Sequence, residues 1–366
     1  MALSPLRSLV LFACIVAVAG QAQSTPSTAL LVLSKQDHTM AIVDPATLKV
    51  LAKVPVGDDP HEIVASADGR TAYVSNYGFG RFHTLTVLDL VGQKQQSVIE
   101  LGALRGPHGL DFIEGKVWFT AEAAKVVGSY DPKLDKIDWV MGTGQNRTHM
   151  IYVFPGAQRM LTTNVNSATV TILEHTEGPA GGQPGAPGQP GAPGPPGPPP
   201  AGMAGAGGPP RAMPVPPGGD WNETVIPVGR GAEGFDVTPG QKQAWVANAW
   251  DGTISVIDID AKKVTATLQA NARGANRLKF TPDGKLALVS AGPELVIFDV
   301  ASQKEVKRLT IGHGSGGVLV QPDGERAYVA CSADSYVAVI DMKTLAITGH
   351  IEAGGNPDGL AWAVRQ

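Results

Sequence analysis

Three histidines of this chain occur in the same local context. His61, His108 and His149 each stand at the start of a short apolar run, in "DDPHEI", "RGPHGL" and "NRTHMI", and Glu233 holds the same place in "RGAEGF". Imidazole is the commonest protein ligand for transition metals, and three histidines with one carboxylate suit a divalent ion. Two alternatives stay open: a metal-free site in which histidine moves protons or donates to a ligand, and histidines that only cap neighbouring carbonyls.

Seven such run starts can be aligned. Their shared column holds His61, His108, His149, Glu233, Asn276, Gly316 and Asp358. A second column, three residues earlier, holds Arg105, Arg230 and Arg273, and Arg147 is displaced from it by one position. Arginine guanidinium groups bind carboxylate or phosphate through two hydrogen bonds. Several arginines at equivalent positions therefore predict a site for a small anionic ligand. Asn276 and Asp358 are further candidate contacts for that ligand. Solvated charges on loops are the alternative.

Other candidate ligand contacts lie on longer loops. His83 belongs to "NYGFGRFHT", Trp250 to "NAWDGT", and Glu122 is a candidate carboxylate in "TAEAAK". Exposed aromatic side chains on such loops either form the wall of a binding site or pack the loop down. The chain has no Gly-x-Ser-x-Gly motif, no P-loop and no dinucleotide fingerprint, so the sequence does not assign a catalytic residue.

An internal repeat must position all of these residues. "RTAYVSN", "QAWVANA" and "RAYVACS" are versions of one strand, and an Asp closes a later strand at positions 44, 89, 131, 258, 299 and 341. A period of about 42 residues with four short alternating strands is typical of a propeller blade. Residues 29–56 supply three strands and "NPDGLAWAV" a lone inner strand, which predicts an all-β, seven-bladed propeller over 29–366 whose ring is closed by the C-terminal strand.

The repeat resembles a known family. "YVSN", the "PDG" turns, "TISVIDI" and "VTATLQA" are similar to the YVTN-type β-propeller repeat found in YncE-like periplasmic proteins, and the resemblance covers most of residues 29–366. Seven-bladed propellers known for lactone hydrolysis or lyase chemistry on acidic sugars place His, Glu, Asn and Arg in the central funnel. This resemblance implies a metal that polarises a carbonyl or carboxylate while His or Glu moves a proton.

The first residues predict export. Residues 1–22 carry one positive charge, a short apolar stretch and small residues before a cut after Ala22, as in a secretory signal peptide, and we expect a periplasmic or extracellular protein. No later segment is apolar enough to predict a transmembrane helix. Without Arg7 and Cys14 the chain keeps a small net negative charge, which argues against a nucleic-acid partner. It also keeps only Cys331, which we expect to be buried and unable to form an internal disulfide.

A collagen-like insertion interrupts the repeat at 177–219. It contains triplets such as "GQPGAPGQP" followed by a Gly/Pro-rich run, and its composition predicts a disordered loop between two strands of the fourth blade. A trimerisation or surface-contact segment is the alternative.

Three functions follow from these patterns. The first is an exported propeller that binds a small anionic ligand, a divalent metal ion or both in its funnel. The second is a metal-dependent lactonase- or lyase-like enzyme that uses the His/Glu column, and the third is a scaffold that binds a protein partner. The sequence does not indicate an oligomeric state.

Overall fold

Seven antiparallel sheets of four strands each make up the fold. The computed structural model describes residues 24–177 and 219–366, so the predicted signal peptide and nearly all of the predicted insertion lie outside the described residues. In chain order the first strands are β1 (Thr28–Ser34), β2 (Thr39–Asp44), β3 (Lys49–Pro55), β4 (Pro60–Ala65), β5 (Thr71–Asn76), β6 (Thr84–Asp89), β7 (Lys94–Glu100), β8 (Pro107–Ile113), β9 (Lys116–Ala121), β10 (Val126–Asp131), β11 (Lys136–Gly142), β12 (Thr148–Val153), β13 (Arg159–Asn164) and β14 (Thr169–Thr176).

The second half repeats the same arrangement. Its strands are β15 (Asp220–Pro227), β16 (Ala232–Val237), β17 (Gln243–Asn248), β18 (Thr253–Asp258), β19 (Lys263–Gln269), β20 (Ala275–Phe280), β21 (Leu286–Ala291), β22 (Glu294–Asp299), β23 (Lys304–Thr310), β24 (Val318–Val320), β25 (Arg326–Cys331), β26 (Tyr336–Asp341), β27 (Ala346–Ile351) and β28 (Pro357–Val364). Among the described residues, the helical segments are two 3-10 turns, Gly78–Gly80 and Ser332–Asp334.

The sheets are the blades of a closed ring. Blade 1 has the order β28-β1-β2-β3, and blades 2 to 7 are β4–β7, β8–β11, β12–β15, β16–β19, β20–β23 and β24–β27. The C-terminal strand therefore pairs with β1, with Leu360 opposite Val32 and Ala363 opposite Ala29. Because this pairing leaves no unpaired inner edge at the junction, it holds the ring shut. The predicted seven-bladed propeller and its closure are confirmed.

Two polar residues recur at strand ends and brace several of the blades. Asp44 accepts hydrogen bonds from Ala46 N and Thr47 Oγ1 in the turn after β2, and the Asp residues at the ends of the equivalent strands hold the corresponding turns. Asn76 donates from Nδ2 to Thr84 Oγ1 and Thr86 Oγ1, which joins the end of β5 to β6. The repeated Asp residues therefore brace turns, and Asn76 braces the end of its strand.

The core lies between neighbouring blades. Alternating side chains of the middle strands are fully buried, including Leu31 and Val74 between blades 1 and 2 and Trp245 and Val289 between blades 5 and 6. Cys331 is buried as expected and is a free thiol. Within the described parts of the chain, no helix has the length and apolar character needed to cross a membrane.

Candidate metal centre in the central channel

A bulge at the start of the inner strands contains most of the column residues. In blade 2, Pro60 pairs with Asn76 and the next paired residues are Ile63 and Val74, so the inner strand carries one extra residue, which disturbs the normal alternation of side chains. Corresponding bulges lie in the inner strands of blades 1, 3, 4, 5 and 6. His61, His108, His149, Glu233, Asn276 and Asp358 all belong to these bulges.

Each of three column residues is anchored by the preceding blade. Ser75 Oγ donates to the carbonyl of His108 over 2.9 Å, and Thr120 Oγ1 donates to the carbonyl of His149 over 2.5 Å. Thr163 Oγ1 donates to the carbonyl of Glu233 over 2.7 Å. These hydroxyls occupy the position before the strand-end Asn or Ala of the second strand, so the sequence repeat itself specifies the anchors.

The three predicted histidines form a row. The ring centroids of His61 and His108 are 4.2 Å apart, and those of His108 and His149 are 3.8 Å apart. His108 and His149 are almost completely buried, and the His61 side chain is 16% exposed. The histidines of three consecutive blades therefore converge, as their shared sequence context predicts.

Two carboxylates hold His149 from opposite sides. Its Nδ1 lies 2.5 Å from Glu122 Oε1, and its Nε2 lies 2.7 Å from Glu233 Oε2, an ion-pair distance without the alignment of a hydrogen bond. The Arg147 guanidinium bridges the same carboxylates, with Nε 3.3 Å from Glu122 Oε1 and Nη1 3.2 Å from Glu233 Oε1. Tyr77 Oη donates to the second oxygen of Glu122. The result is a four-group cluster of alternating charge.

The electrostatics separate the three histidines. Burial opposes the charging of His149, but Glu233 and Glu122 outweigh it and raise its pKa. Burial lowers the pKa of His108 well below its usual value, and the neighbouring His149 and His61 lower it further. Burial also lowers the pKa of His61, although Asp358 opposes the shift. The surroundings therefore favour the charged imidazolium form of His149 and the neutral imidazole form of His61 and His108.

The carboxylates remain ionised in this cluster. Burial favours the neutral acid of Glu233, but His149 and Arg147 lower its pKa to about 2. The same two partners, with Tyr77, lower the pKa of Glu122 against its burial. The charges of His149, Arg147, Glu122 and Glu233 therefore cancel.

His108 is the group that this network does not satisfy. Both of its ring nitrogens are buried and have no hydrogen-bond partner, although buried polar groups are normally paired. One ligand atom each from His108, Glu122 and His149 lie within 4.8 Å of one another, which is a spacing that a metal ion could bridge. From the sequence, Glu122 was only a candidate carboxylate on a loop. In the structure it contacts His149 and belongs to the possible metal site.

Further charged residues of the channel were not found from the sequence. Arg277 is buried and pairs with Glu62, and its Nη1 also donates to Asn276 Oδ1 over 2.9 Å. Lys35 Nζ lies 2.5 Å from Asp358 Oδ2, and that carboxylate is 3.5 Å from His61 Nδ1. Glu62 and Arg277 directly follow the column residues His61 and Asn276. Because the bulge disturbs the alternation of side chains at these positions, knowledge of the bulge would have identified them.

The predicted arginine column lies elsewhere. Arg105, Arg230 and Arg273 are exposed and make no hydrogen bond or ion pair with the histidine cluster in the described structure; Arg230 pairs with Asp251 instead. The cause is the backbone, because each is followed by a left-handed glycine, such as Gly106 with φ 72°. Arg147 occupies that left-handed position itself, with φ 60°, and it alone of these arginines reaches the cluster.

The remaining candidates also lie outside the cluster. His83 pairs with Glu100 at 3.0 Å, and Trp250 is 49% exposed and packs beside Gly231. Asn276 contacts Arg277 and Asp358 contacts Lys35. A ligand-binding role for each of these residues stays a prediction.

Two cavities flank the cluster. One of about 250 Å³ is lined by inner-strand residues of all seven blades, among them Glu62 and Arg277, and is the central channel. Another of about 240 Å³ lies beside Tyr77, Glu122 and Arg147. Glu122, although nearly buried, therefore borders a cavity on one side.

Comparisons with known proteins support the fold and nothing finer. No protein-family model matches the chain, and no curated protein matches it. Solved structures do: a functionally unknown protein from Desulfotomaculum acetoxidans has a TM-score of 0.68 at 12% identity, with 92% of this chain and 99% of that chain covered. The resemblance to the YVTN-type repeat therefore stays a prediction.

Two further structures have names that suggest an activity for themselves. A putative 6-phosphogluconolactonase from Bacteroides uniformis has a TM-score of 0.67 at 14% identity, with 92% of this chain and 99% of that chain covered. A second one, from Bacteroides fragilis, has a TM-score of 0.64 at 15% identity, with 93% and 99% covered. At these identities the likeness shows a common seven-bladed propeller fold.

Proposed function

We propose that this protein binds a divalent transition metal ion in its central channel and presents it to a small anionic ligand. The observation that carries the proposal is the pair of buried, unpartnered nitrogens of His108 beside His149 and Glu122. The donor set of two imidazoles and one carboxylate suits Zn²⁺ and related ions. His61 and Glu233 are the neighbouring groups that complete the predicted set.

The geometry assigns different roles to the two glutamates. An ion between His149 Nδ1 and Glu122 Oε1 would take the place of the proton that they share, and their 2.5 Å separation would open by under about 1 Å to reach the spacing of metal ligands. Glu233 would then remain on the other ring nitrogen of His149. Carboxylates commonly occupy that position on metal-bound histidines, where they fix the tautomer and orient the ring.

The charge balance explains why the ligand would be an anion. The four-group cluster is neutral without a metal, so it offers an anion little attraction. Exchange of one proton for a divalent ion adds one positive charge in a poorly solvated site, where charge interactions are strong. The metal therefore converts a neutral cluster into an anion site.

Binding of zinc to stripped protein tests this function. We expect calorimetry to show one Zn²⁺ per chain, and Co²⁺ to give a visible spectrum typical of nitrogen and oxygen ligands. His108→Leu and Glu122→Gln should weaken binding at least about tenfold, whereas His350→Gln, on the outer strand β27, should not. Trace binding in the wild type, or equal affinity in His108→Leu, would overturn the proposal.

Export and membership of the YVTN-repeat family form part of the proposal. The leader-like residues 1–22 and the repeat motifs support them. Expression in a bacterial host followed by mass determination tests export, since a mature chain beginning after Ala22 should accumulate outside the cytoplasm. The lactonase- or lyase-like activity stays a prediction of the sequence, because the described contacts do not single out a residue that would move a substrate proton.

A further inference from the structure

The cavity of about 240 Å³ beside the histidine cluster has a wall that the proposed metal function does not use. Its lining residues are Tyr77, Phe79, Gly80, Glu122, Ala123, Lys125, Asn146, Arg147 and Asn166. Glu122 and Arg147 connect it to the cluster, and the other polar groups face it from separate loops of blades 2, 3 and 4. This position makes the cavity the route by which a molecule could reach Glu122.

Phe79 is held in solvent at a cost in backbone conformation. It is 82% exposed, and Gly78, Phe79 and Gly80 all have positive φ, with 51° for Phe79. Non-glycine residues rarely adopt this region, and such strain concentrates at binding sites. Phe82 of the same loop packs against Gly78, so it supplies the ring that holds the loop down. The Phe79 ring lies beside Tyr77, with the ring centroids 5.9 Å apart, and leaves most of its surface exposed to a ligand.

The polar lining favours a negatively charged group. Lys125 is exposed, and no ion pair joins it to a carboxylate of the described residues. The side-chain amides of Asn146 and Asn166 make no hydrogen bond to described protein groups and can both donate. Glu122 is the one carboxylate in the lining, and its oxygens already accept from Tyr77, His149 and Arg147.

We propose that this cavity binds a small aromatic monocarboxylate, with the carboxylate at Lys125 and Arg147 and the ring against Phe79. The inference deepens the proposed function, since it names the class of anion, and it rests on that function for the added attraction of the metal. A flat ring suits the exposed face of Phe79, since offset or edge-to-face aromatic pairs are favourable. A volume of this size admits one small ring and its substituent.

Benzoate is the probe, measured by calorimetry against metal-free and zinc-loaded protein. We expect saturable binding in both states, tighter with zinc. Lys125→Ala should weaken benzoate binding by about tenfold. Lys133→Ala is the control: it removes the same charge from the turn between β10 and β11 of the same blade and should not weaken binding. Phe79→Ala should weaken benzoate but leave acetate unchanged, which separates ring contact from charge.

The outcomes separate this inference from the metal function. If zinc does not bind but benzoate shows the Lys125 and Phe79 dependence, the metal function fails and the carboxylate site stands. If zinc binds and benzoate does not, or if Lys125→Ala and Lys133→Ala behave alike, the carboxylate site is overturned. Circular dichroism of each variant confirms that the fold is kept.

Discussion

The ring of His108 lies 3.8 Å from the ring of His149, centroid to centroid, yet the two histidines have opposite electrostatic states. Two carboxylates raise the pKa of His149, whereas burial lowers the pKa of His108, whose two ring nitrogens have no partner among the described residues. An unsatisfied buried polar group costs about 1–3 kcal/mol. The pair thus places a histidine held between two carboxylates in direct contact with one whose ring nitrogens have no partner among the described residues.

This contrast predicts that His108 reduces the stability of the metal-free protein. In EDTA, the free energy of unfolding of His108→Leu in urea should equal that of the wild type or exceed it by up to about 1 kcal/mol, because the substitution removes unsatisfied polar atoms. His149→Leu should lower it by about 3–5 kcal/mol, because Glu122 and Glu233 would remain buried without their imidazolium. A large loss in His108→Leu would show that its nitrogens are satisfied in the folded protein.

Arg147 is expected to stabilise the fold and to oppose metal binding. Arg147→Gln removes two ion pairs to buried carboxylates and should lower the free energy of unfolding by about 1–2 kcal/mol. Arg147→Gly should lose less, because glycine relieves the left-handed backbone at φ 60°. Both variants should bind Zn²⁺ more tightly than the wild type, since a positive charge beside the ion is gone. Weaker zinc binding in both would contradict this account of the cluster.

Adjacent threonines of β13 offer a matched test of the blade-to-blade anchors. Thr163 Oγ1 donates to the Glu233 carbonyl, whereas the buried Thr162 Oγ1 has no hydrogen-bond partner. Thr163→Val should lower the free energy of unfolding by about 1–3 kcal/mol, and Thr162→Val should leave it unchanged or raise it. Urea denaturation of both variants decides the point, and equal losses would show that the anchor contributes nothing.

Asp111 gives the protein a predictable pH dependence. Burial raises its pKa from 3.8 to about 6, although Val153 N and Phe112 N donate to its carboxylate. Because the folded pKa is the higher one, the contribution of Asp111 is favourable below about pH 4 and is lost as the pH rises through 6. Asp111→Asn should therefore be more stable than the wild type by about 1–2 kcal/mol above pH 6.

The control for this prediction is Asp236→Asn. Asp236 accepts from Phe280 N in the equivalent position of blade 5 but has Lys279 Nζ at 3.6 Å, so its replacement removes an attraction. Thermal unfolding from pH 4 to 8 should show the advantage of Asp111→Asn vanish at the acidic end and should show no advantage for Asp236→Asn. An advantage of Asp111→Asn that is constant with pH would count against the charge as its cause.

The collagen-like insertion should be dispensable for folding. Thr176 of β14 pairs directly with Asp220 of β15, so the two strands are already adjacent where the insertion begins and ends. Replacing residues 178–218 with Asn-Gly, a pair that suits a two-residue hairpin, should leave the melting temperature and zinc affinity unchanged. Loss of a folded chain would show that the insertion contributes to the propeller itself.

The sequence predicts the blades and the histidine row for one physical reason. Both depend on a repeat, so residues with the same place in the repeat have the same place in the ring, and His61, His108 and His149 converge. Arg277 and Glu62 were missed because alternation places them on the opposite side of the strand from their neighbours, and the bulge cancels that alternation.

The misplaced arginine contacts have a similar local cause. Arg105, Arg230 and Arg273 match in spacing, but the left-handed residue that follows each one turns the chain before the column is reached. Spacing in sequence does not report that turn. The exact partners of His149 depend on side-chain rotamers of three blades, which no single repeat encodes.

The hydroxyls of Ser75, Thr120 and Thr163 donate to the backbone carbonyls of column residues, so these hydrogen bonds do not involve the column side chains. The side chain at each anchored position can therefore change while the hydrogen bond to its backbone carbonyl is kept. Evolution could alter the chemistry at the axis blade by blade, as imidazole, carboxylate or amide, while the architecture stayed constant. Ser290 already holds the carbonyl of Gly316 in the seventh blade. A side chain introduced at that glycine would have to displace the Asp358 carboxylate, because its Cβ would lie 2.8 Å from Asp358 Oδ1.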